Sequence, residues 1–340
     1  MIIRSKAPLR IGLAGGGTDV SPYSDIYGGA ILNATVSMYA SATIEPTNDG
    51  KITLQMPANE MYEIYDACEE LPTDGTFVLH KGVYNRIVKD YAKKTLSFRL
   101  TTYVDAPAGS GMGTSSTLVV AILGAFVEWM KLPLGEYDIA HLAYIIERED
   151  LAMAGGKQDQ YAATFGGINF MEFYKDDKVI VNPLRVRQRF QDELAHNLLL
   201  YNTQTSRVSA KIIAAQSQKV KDKNRNTIDA MHRLKEQAIW MKEAILKGNI
   251  DEMGRILDFG WQHKKQMTQG ITTSWIDEIY EVAIRAGATG GKVSGAGGGG
   301  FMFFYCPNIT RYAVEQALNA FGGQVKRYEF INEGLKTWTI

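Results

Sequence analysis

The sequence predicts an α+β fold, organised as α/β in two layers. Three observations carry that reading. Short β-rich runs fill residues 2–55, and a 13-residue apolar segment, Leu118-Val119-Val120-Ala121-Ile122-Leu123-Gly124-Ala125-Phe126-Val127-Glu128-Trp129-Met130, is too long for a strand. After about residue 200 the pattern changes to consecutive helical stretches, closed by strands around a glycine run. At 340 residues, two domains are expected rather than one core. The boundary falls near residue 190, giving domains 1–190 and 191–340, with a cleft between them.

The elements follow in order. Ile2 to Ser5, Leu9 to Ala14 and Ser37 to Ile44 are strands, interrupted by Pro8 and by Gly15-Gly16-Gly17. Lys51 to Gln55 is another. Residues 57–76 mix polarity with Pro and Gly and read as loop with at most a short helix. Val83, Ile87 and Tyr91 recur at i+4, so Phe77 to Lys93 is an amphipathic helix. Leu96 to Val104 is a strand that runs through a Gly-rich loop into the apolar helix. Tyr137 to Ala152 and Lys157 to Ala163 are helices. Ile168 to Tyr174 and Lys178 to Val181 form a hairpin turning near Asp176-Asp177. In the second half, Asn197 to Tyr201 is a strand. Helices follow at 207–219, 225–247, 250–265 and 274–286. Strands at Gly291 to Ser294 and Phe301 to Cys306, a helix at Ile309 to Ala320 and a strand at Gln324 to Tyr328 complete the chain.

Composition removes several function classes. Thirty-seven basic residues balance 37 acidic ones, so bulk electrostatics favour neither nucleic acid nor a membrane surface. Two distant cysteines, Cys68 and Cys306, exclude a disulfide framework and a Cys-based zinc site, and suit a reducing cytoplasm. No apolar run approaches the ~20 residues a spanning helix needs. The first residues, Met1-Ile2-Ile3-Arg4-Ser5-Lys6, carry charge where a signal peptide needs its apolar core. The five histidines form no H-E-x-x-H, and no G-x-S-x-G occurs.

Glycines are clustered in three places. The first cluster is Gly15-Gly16-Gly17-Thr18-Asp19. It ends a strand and offers short polar side chains suited to a polyhydroxyl partner, or it is a tight turn capped by Asp19. The second is Pro107-Ala108-Gly109-Ser110-Gly111-Met112-Gly113-Thr114-Ser115-Ser116, between a strand and the apolar helix. Amides converging there, with the partial positive charge of a helix N-terminus, suit phosphate. It is not a Walker loop, because no Lys-Ser/Thr pair follows its glycines. The third, Gly295 to Gly300, matches G-x-G-x-x-G but precedes a strand. A dinucleotide site needs the reverse order, which argues against an NAD-dependent oxidoreductase. A run of glycines between two strands instead lets one backbone approach a ligand or another domain. An acidic segment, Glu147-Arg148-Glu149-Asp150, precedes Gly155-Gly156-Lys157-Gln158-Asp159-Gln160. Alone, such a charge run reads as a solvated helix face.

These segments, in this order, resemble the GHMP small-molecule kinase superfamily. The likeness covers most of the chain, and its sugar-phosphate kinase branch is the nearest. The resemblance implies a ribosomal-protein-type N-terminal domain and a ferredoxin-like C-terminal domain, with ATP and substrate in the cleft. It implies that Pro107, Gly109, Ser110, Gly111, Met112, Gly113, Thr114 and Ser115 bind ATP. Ser115 (or Ser116) and Glu147 would hold Mg²⁺. Asp159 and Arg10 would be catalytic, Asp159 meeting the acceptor hydroxyl and Arg10 the transferring phosphoryl group or the acceptor alkoxide. Gly16, Gly17, Thr18, Asp19, Gly297 and Gly298 would contact the sugar, and Lys157 and Arg207 would either meet its distal phosphate or pair with nearby carboxylates. Gln204 replaces the glycine that related kinases carry before that arginine. The implied activity is phosphorylation of an anomeric hydroxyl in a sugar phosphate, a heptose 7-phosphate before others. Kinases of free fucose or galactose, and a non-catalytic nucleotide-binding regulator on the same scaffold, are the alternatives. The implied partners are ATP and the sugar phosphate, and a homodimer is compatible with the family.

Overall fold

A computed structural model describes residues 1–205 and 209–340. The elements, in chain order, are β1 (Ile3–Ala14), α1 (Tyr23–Tyr27), β2 (Gly29–Pro46), β3 (Lys51–Met56), β4 (Met61–Asp66), α2 (Val78–Ile87), β5 (Phe98–Val104), α3 (Thr114–Met130), α4 (Glu136–Ile145), α5 (Gln158–Phe165), β6 (Ile168–Phe173), β7 (Val179–Pro183), α6 (Gln188–Asn197), β8 (Leu198–Asn202), α7 (Ser209–Lys221), α8 (Arg225–Lys247), α9 (Glu252–Met267), α10 (Ser274–Arg285), β9 (Gly290–Val293), β10 (Phe301–Tyr305), α11 (Arg311–Leu318), β11 (Gln324–Lys326) and β12 (Lys336–Thr339).

Two sheets organise the chain. The larger runs β12-β1-β2-β5-β3-β4, with β6 and β7 added along the first half of the 18-residue β2. Its ladders are antiparallel except β3 with β5. The smaller sheet, β11-β8-β10-β9, is antiparallel throughout. β1 changes face at the register shift between Pro8 and Arg10: before it Ile3 and Ala7 join the core beneath α2, α3 and α4, and after it Leu9, Ile11 and Leu13 face α8, α9 and the smaller sheet. The apolar helix is central to the first core. Leu118 to Phe126 is buried without interruption, so α3 has no solvated face until its last turn. Truncating Phe126 to alanine would remove a fully buried ring, at a cost of about 3–5 kcal/mol.

Several elements differ from the sequence reading. Pro8 does not end the first strand. It stands at a register shift, Pro8 opposite Tyr39 but Arg10 opposite Thr35, so the extra residues bulge from β2 and β1 continues. Residues 61–66 form an edge strand, exposed on alternate residues, where the mixed polarity had suggested loop. The helix predicted over 137–152 becomes a π-turn at Ile146–Asp150, which carries Glu147 and Arg148. α6 and β12 were not foreseen. β12 returns the chain from the smaller sheet to pair with β1, and Ile2 and Ile340 exchange backbone hydrogen bonds of 2.8 and 2.9 Å.

Candidate functional site

The three glycine clusters meet at one cleft. The second cluster holds left-handed backbone at Gly109, Gly111 and Gly113, with φ of 78°, 79° and 77°. Gly113 is the N-cap of α3, and no side chain caps that helix, leaving its first-turn amides for a ligand. A Cβ on Gly111 would lie 2.4 Å from the Ser294 carbonyl oxygen, and one on Gly295 would lie 2.7 Å from the Gly111 Cα. The third cluster thus packs backbone to backbone on the second. The Ser294 hydroxyl donates to Gly111 O at 2.8 Å and the Phe301 amide donates to Ser110 O at 2.9 Å. Only glycine allows this approach.

Arg10 enters from β1, just past that register shift. Its amide donates to Met112 O at 3.2 Å, tying the strand to the Gly-rich loop. Its guanidinium donates through Nε and Nη2 to Asp159 Oδ1 at 2.7 and 2.6 Å, and through Nη1 to Gly111 O at 2.6 Å. The Arg10 side chain is 4% exposed and that of Asp159 is 22% exposed, so the carboxylate still reaches the cleft. Asp159 sits in the first turn of α5, beside Gly113.

Glu147 lies deeper. Gln160 Nε2 bridges its Oε2 at 2.5 Å and Ser116 Oγ at 3.1 Å. Glu147 Oε1 is buried with no hydrogen-bond partner, and Arg148 is 3.6 Å away. Burial raises the Glu147 pKa, against the opposing pull of Arg148. Asp19 is also buried. Its Oδ2 accepts the Gln158 amide at 3.1 Å, its Oδ1 has no partner, and burial raises its pKa. Two buried carboxylates with orphaned oxygens fit ligands that bring cations or hydroxyls. Among the described residues, no cluster of three His, Cys, Asp or Glu could enclose a metal. A Mg²⁺ that keeps its waters and bonds nucleotide phosphates needs no such cluster.

Of the residues singled out in the sequence, Arg10, Gly17, Asp19, Gly109, Gly111 and Gly113 line the cleft, as do Thr114, Ser115, Glu147 and Asp159. Others lie off it. The Thr18 hydroxyl donates to Gly15 O and Ala30 O at 2.8 and 3.0 Å, locking its turn from within. Ser110 lies behind the cleft-lining Thr114, their hydroxyls bonded at 2.7 Å, and the pair shapes the loop around Met112 and Pro107. Gly297 and Gly298 abut Ile271, whose carbonyl accepts the Gly298 amide at 2.8 Å. Gly16 lies against Lys264 and Lys292. Lys157 is 2.7 Å from Asp177 and 3.5 Å from Asp25, so both carboxylates claim its charge away from the cleft. Arg207 lies outside the described residues.

Two residues escaped the sequence reading. Lys264 of α9 lines the cleft and donates to Gly295 O. Lys292 of β9, behind it, donates to Gly12 O at 3.0 Å. Both are almost fully buried. Burial lowers Lys264 to about 8, with Arg10 adding to the fall and Asp19 opposing it, and drives Lys292 far below its usual value. Lys264 had a legible signal: it continues the buried stripe Leu257, Gly260, Trp261 and Met267 of α9.

An uncapped helix N-terminus behind a left-handed glycine loop, an arginine paired to a cleft aspartate and a buried glutamate define a nucleotide-dependent phosphotransferase. The comparisons agree. Residues 79–167 match the GHMP kinases N terminal domain and residues 241–324 the GHMP kinases C terminal domain. The chain is 48% identical over 338 residues to D-glycero-alpha-D-manno-heptose 7-phosphate kinase of Campylobacter jejuni, covering 99% of each. The crystal structure of a D-glycero-D-manno-heptose 1-phosphate kinase from Bacteroides thetaiotaomicron superposes with a TM-score of 0.85 at 49% identity, over 99% of both chains. Lactococcus lactis galactokinase with galactose shares the fold, with a TM-score of 0.77 at 19% identity. The chain belongs to the GHMP kinase family. It is a kinase with ATP as donor and a hydroxyl as acceptor.

Proposed function

We propose that the protein phosphorylates the anomeric hydroxyl of D-glycero-D-manno-heptose 7-phosphate, giving the 1,7-bisphosphate for nucleotide-activated heptose synthesis in the cytoplasm. The observation that carries this reading is the Asp159–Arg10–Gly111 junction. It joins a carboxylate for a sugar hydroxyl to a cation and a phosphate loop at one point. The full-length likeness to the Campylobacter heptose 7-phosphate kinase supplies the choice of sugar.

In this reading the Gly109–Ser115 loop and the α3 N-terminus bind the triphosphate, and Glu147 with Ser115 or Ser116 holds Mg²⁺. The orphaned Glu147 Oε1 fits such a cation. When bound, Mg²⁺ neutralises phosphate charge. Asp159 uses Oδ1 on Arg10 and offers Oδ2 to the anomeric hydroxyl. Proton transfer to Asp159 falls late, after the O1–P bond has begun to form and the hydroxyl has become acidic. Arg10 sits where the transferring group crosses, and its charge matches what develops there. Asp19 and Gly17 lie along the first loop, where sugar hydroxyls would bond.

A second reading, a kinase of an unphosphorylated sugar, draws on one fact: the Lys157 charge is already engaged by Asp25 and Asp177. The names of the relatives also differ over which end of the heptose is phosphorylated beforehand. The deciding experiment supplies Mg-ATP with free sugars, heptose 7-phosphate and heptose 1-phosphate, and reads products by phosphorus NMR. A new anomeric phosphate on heptose 7-phosphate alone supports the proposal. Turnover of free sugars only, or transfer to O7 of the 1-phosphate, refutes it.

A further inference from the structure

Lys264 has no established part in this chemistry, and its surroundings ask for one. The side chain reaches the cleft from α9, a different helix from any that carries the motif residues. Its ammonium has three N–H donors, and the one hydrogen bond recorded for it goes to the Gly295 carbonyl. Among the described residues it forms no ion pair, although only 3% of the residue is exposed. A Cβ on Gly16 would stand 3.7 Å from both Lys264 Nζ and Lys292 Nζ. The first loop, bare of a side chain at Gly16, therefore runs past two buried lysine amino groups. Arg10 adds a further positive charge beside Lys264. Facing them are Asp19 from the first loop and, across Arg10, Asp159 from α5. Buried cations that repel one another are costly unless an anion arrives.

The position of that anion follows from the contacts. Lys264 is bonded to Gly295, Gly295 packs on Gly111, and the Gly111 carbonyl accepts Arg10, which holds Asp159. The ammonium thus borders the ring of groups around the acceptor hydroxyl and the phosphate loop. We propose that Lys264 is a second catalytic cation, contacting the phosphoryl group as it moves to the acceptor, with Lys292 backing it. This rests on the kinase reading above. The bridging bond between the terminal phosphorus and the ADP oxygen breaks, ADP leaves with the electron pair, the bond to O1 forms, and the O1 proton passes to Asp159. Lys264 exchanges no proton. It must stay charged, and a value near 8 in the free protein makes that charge sensitive to mild alkali.

The test compares wild type, Lys264→Met and Lys264→Arg with Mg-ATP and heptose 7-phosphate, alongside melting curves and titration with a non-hydrolysable ATP analogue. Lys264→Met is expected to lower kcat by about a hundredfold or more, with analogue affinity and acceptor KM within about threefold of wild type. Lys264→Arg, which does not titrate in this range, should keep part of the rate and lose the wild-type decline in kcat/KM above about pH 8. Unchanged kcat in Lys264→Met would overturn the inference. So would a loss confined to KM for phosphorylated acceptors with normal turnover of free heptose, which would place Lys264 on the distal phosphate. Failure of the wild-type protein to phosphorylate any sugar would refute the underlying reading instead.

Discussion

Replacing Asp159 by asparagine and by alanine separates its chemical role from its structural one. Arg10 gives two of its three hydrogen bonds to a single Asp159 oxygen and the third to Gly111. Alanine leaves a buried guanidinium with one acceptor. Breaking a fully buried pair costs about 3–5 kcal/mol. The partial exposure of Asp159 reduces this, to about 2–3 kcal/mol, because water can follow the lost carboxylate. Asparagine keeps a carbonyl oxygen for Arg10 and should cost roughly half as much, about 1–1.5 kcal/mol. Both lack a carboxylate for the acceptor proton, so both should lose a factor of about 10²–10⁴ in kcat. The assay measures kcat with heptose 7-phosphate, affinity for an ATP analogue, and urea midpoints. The expected pattern is a similar loss of kcat in both variants, analogue affinity near wild type, and a clearly larger stability loss in alanine. Near-normal kcat in Asp159→Asn, with analogue binding intact, would refute the acceptor role and leave only the anchoring of Arg10.

The remaining expectations are briefer. Arg10→Met should lower kcat more than it weakens analogue binding; a pure binding loss would contradict its place at the transfer point. Glu147 has a raised pKa, so its ionised form burdens the fold: stability linked to this group falls as pH rises through the folded value. Glu147→Gln should therefore raise the melting temperature of the ligand-free protein at pH 7.5 while abolishing the extra stabilisation by Mg-ATP over ATP alone. Gly111→Ala places a methyl group against the Ser294 carbonyl in a left-handed conformation. It should destabilise by at least about 1–2 kcal/mol and weaken analogue binding, read by melting and titration. Lys157→Met should leave acceptor KM within about threefold, because the charge it removes serves Asp25 and Asp177; a large rise in KM would return Lys157 to the substrate.

The glycine loops were legible because backbone conformation leaves few alternatives: Gly109, Gly111 and Gly113 alternate where three left-handed residues are needed. α3 was legible because its burial is nearly complete around the helix. Residues 61–66 were not, since an edge strand with one solvated face shows alternation too weak to stand out beside Pro57 and Pro72. β12 was illegible for another reason. Lys336 to Thr339 is four residues long, and its place is set by β1, more than 300 residues away. Sugar and phosphate roles at Thr18, Gly297 and Lys157 rested on the family resemblance, and a resemblance does not tell which way a side chain points. Lys264 carried the signal of the α9 buried stripe, but a Lys-Lys pair at a helix end also reads as a favourable partner of the helix dipole, and that masked it.

The return of β12 also constrains movement. The polypeptide leaves the larger sheet after β7 and re-enters it beside β1, so the smaller sheet and its helices are an insert held at two attachment points. A body tethered once can swivel in any direction, but one tethered twice is left with rocking about the line through its tethers. Substrate entry and product escape would then follow a single arc about that line, with both tethers holding.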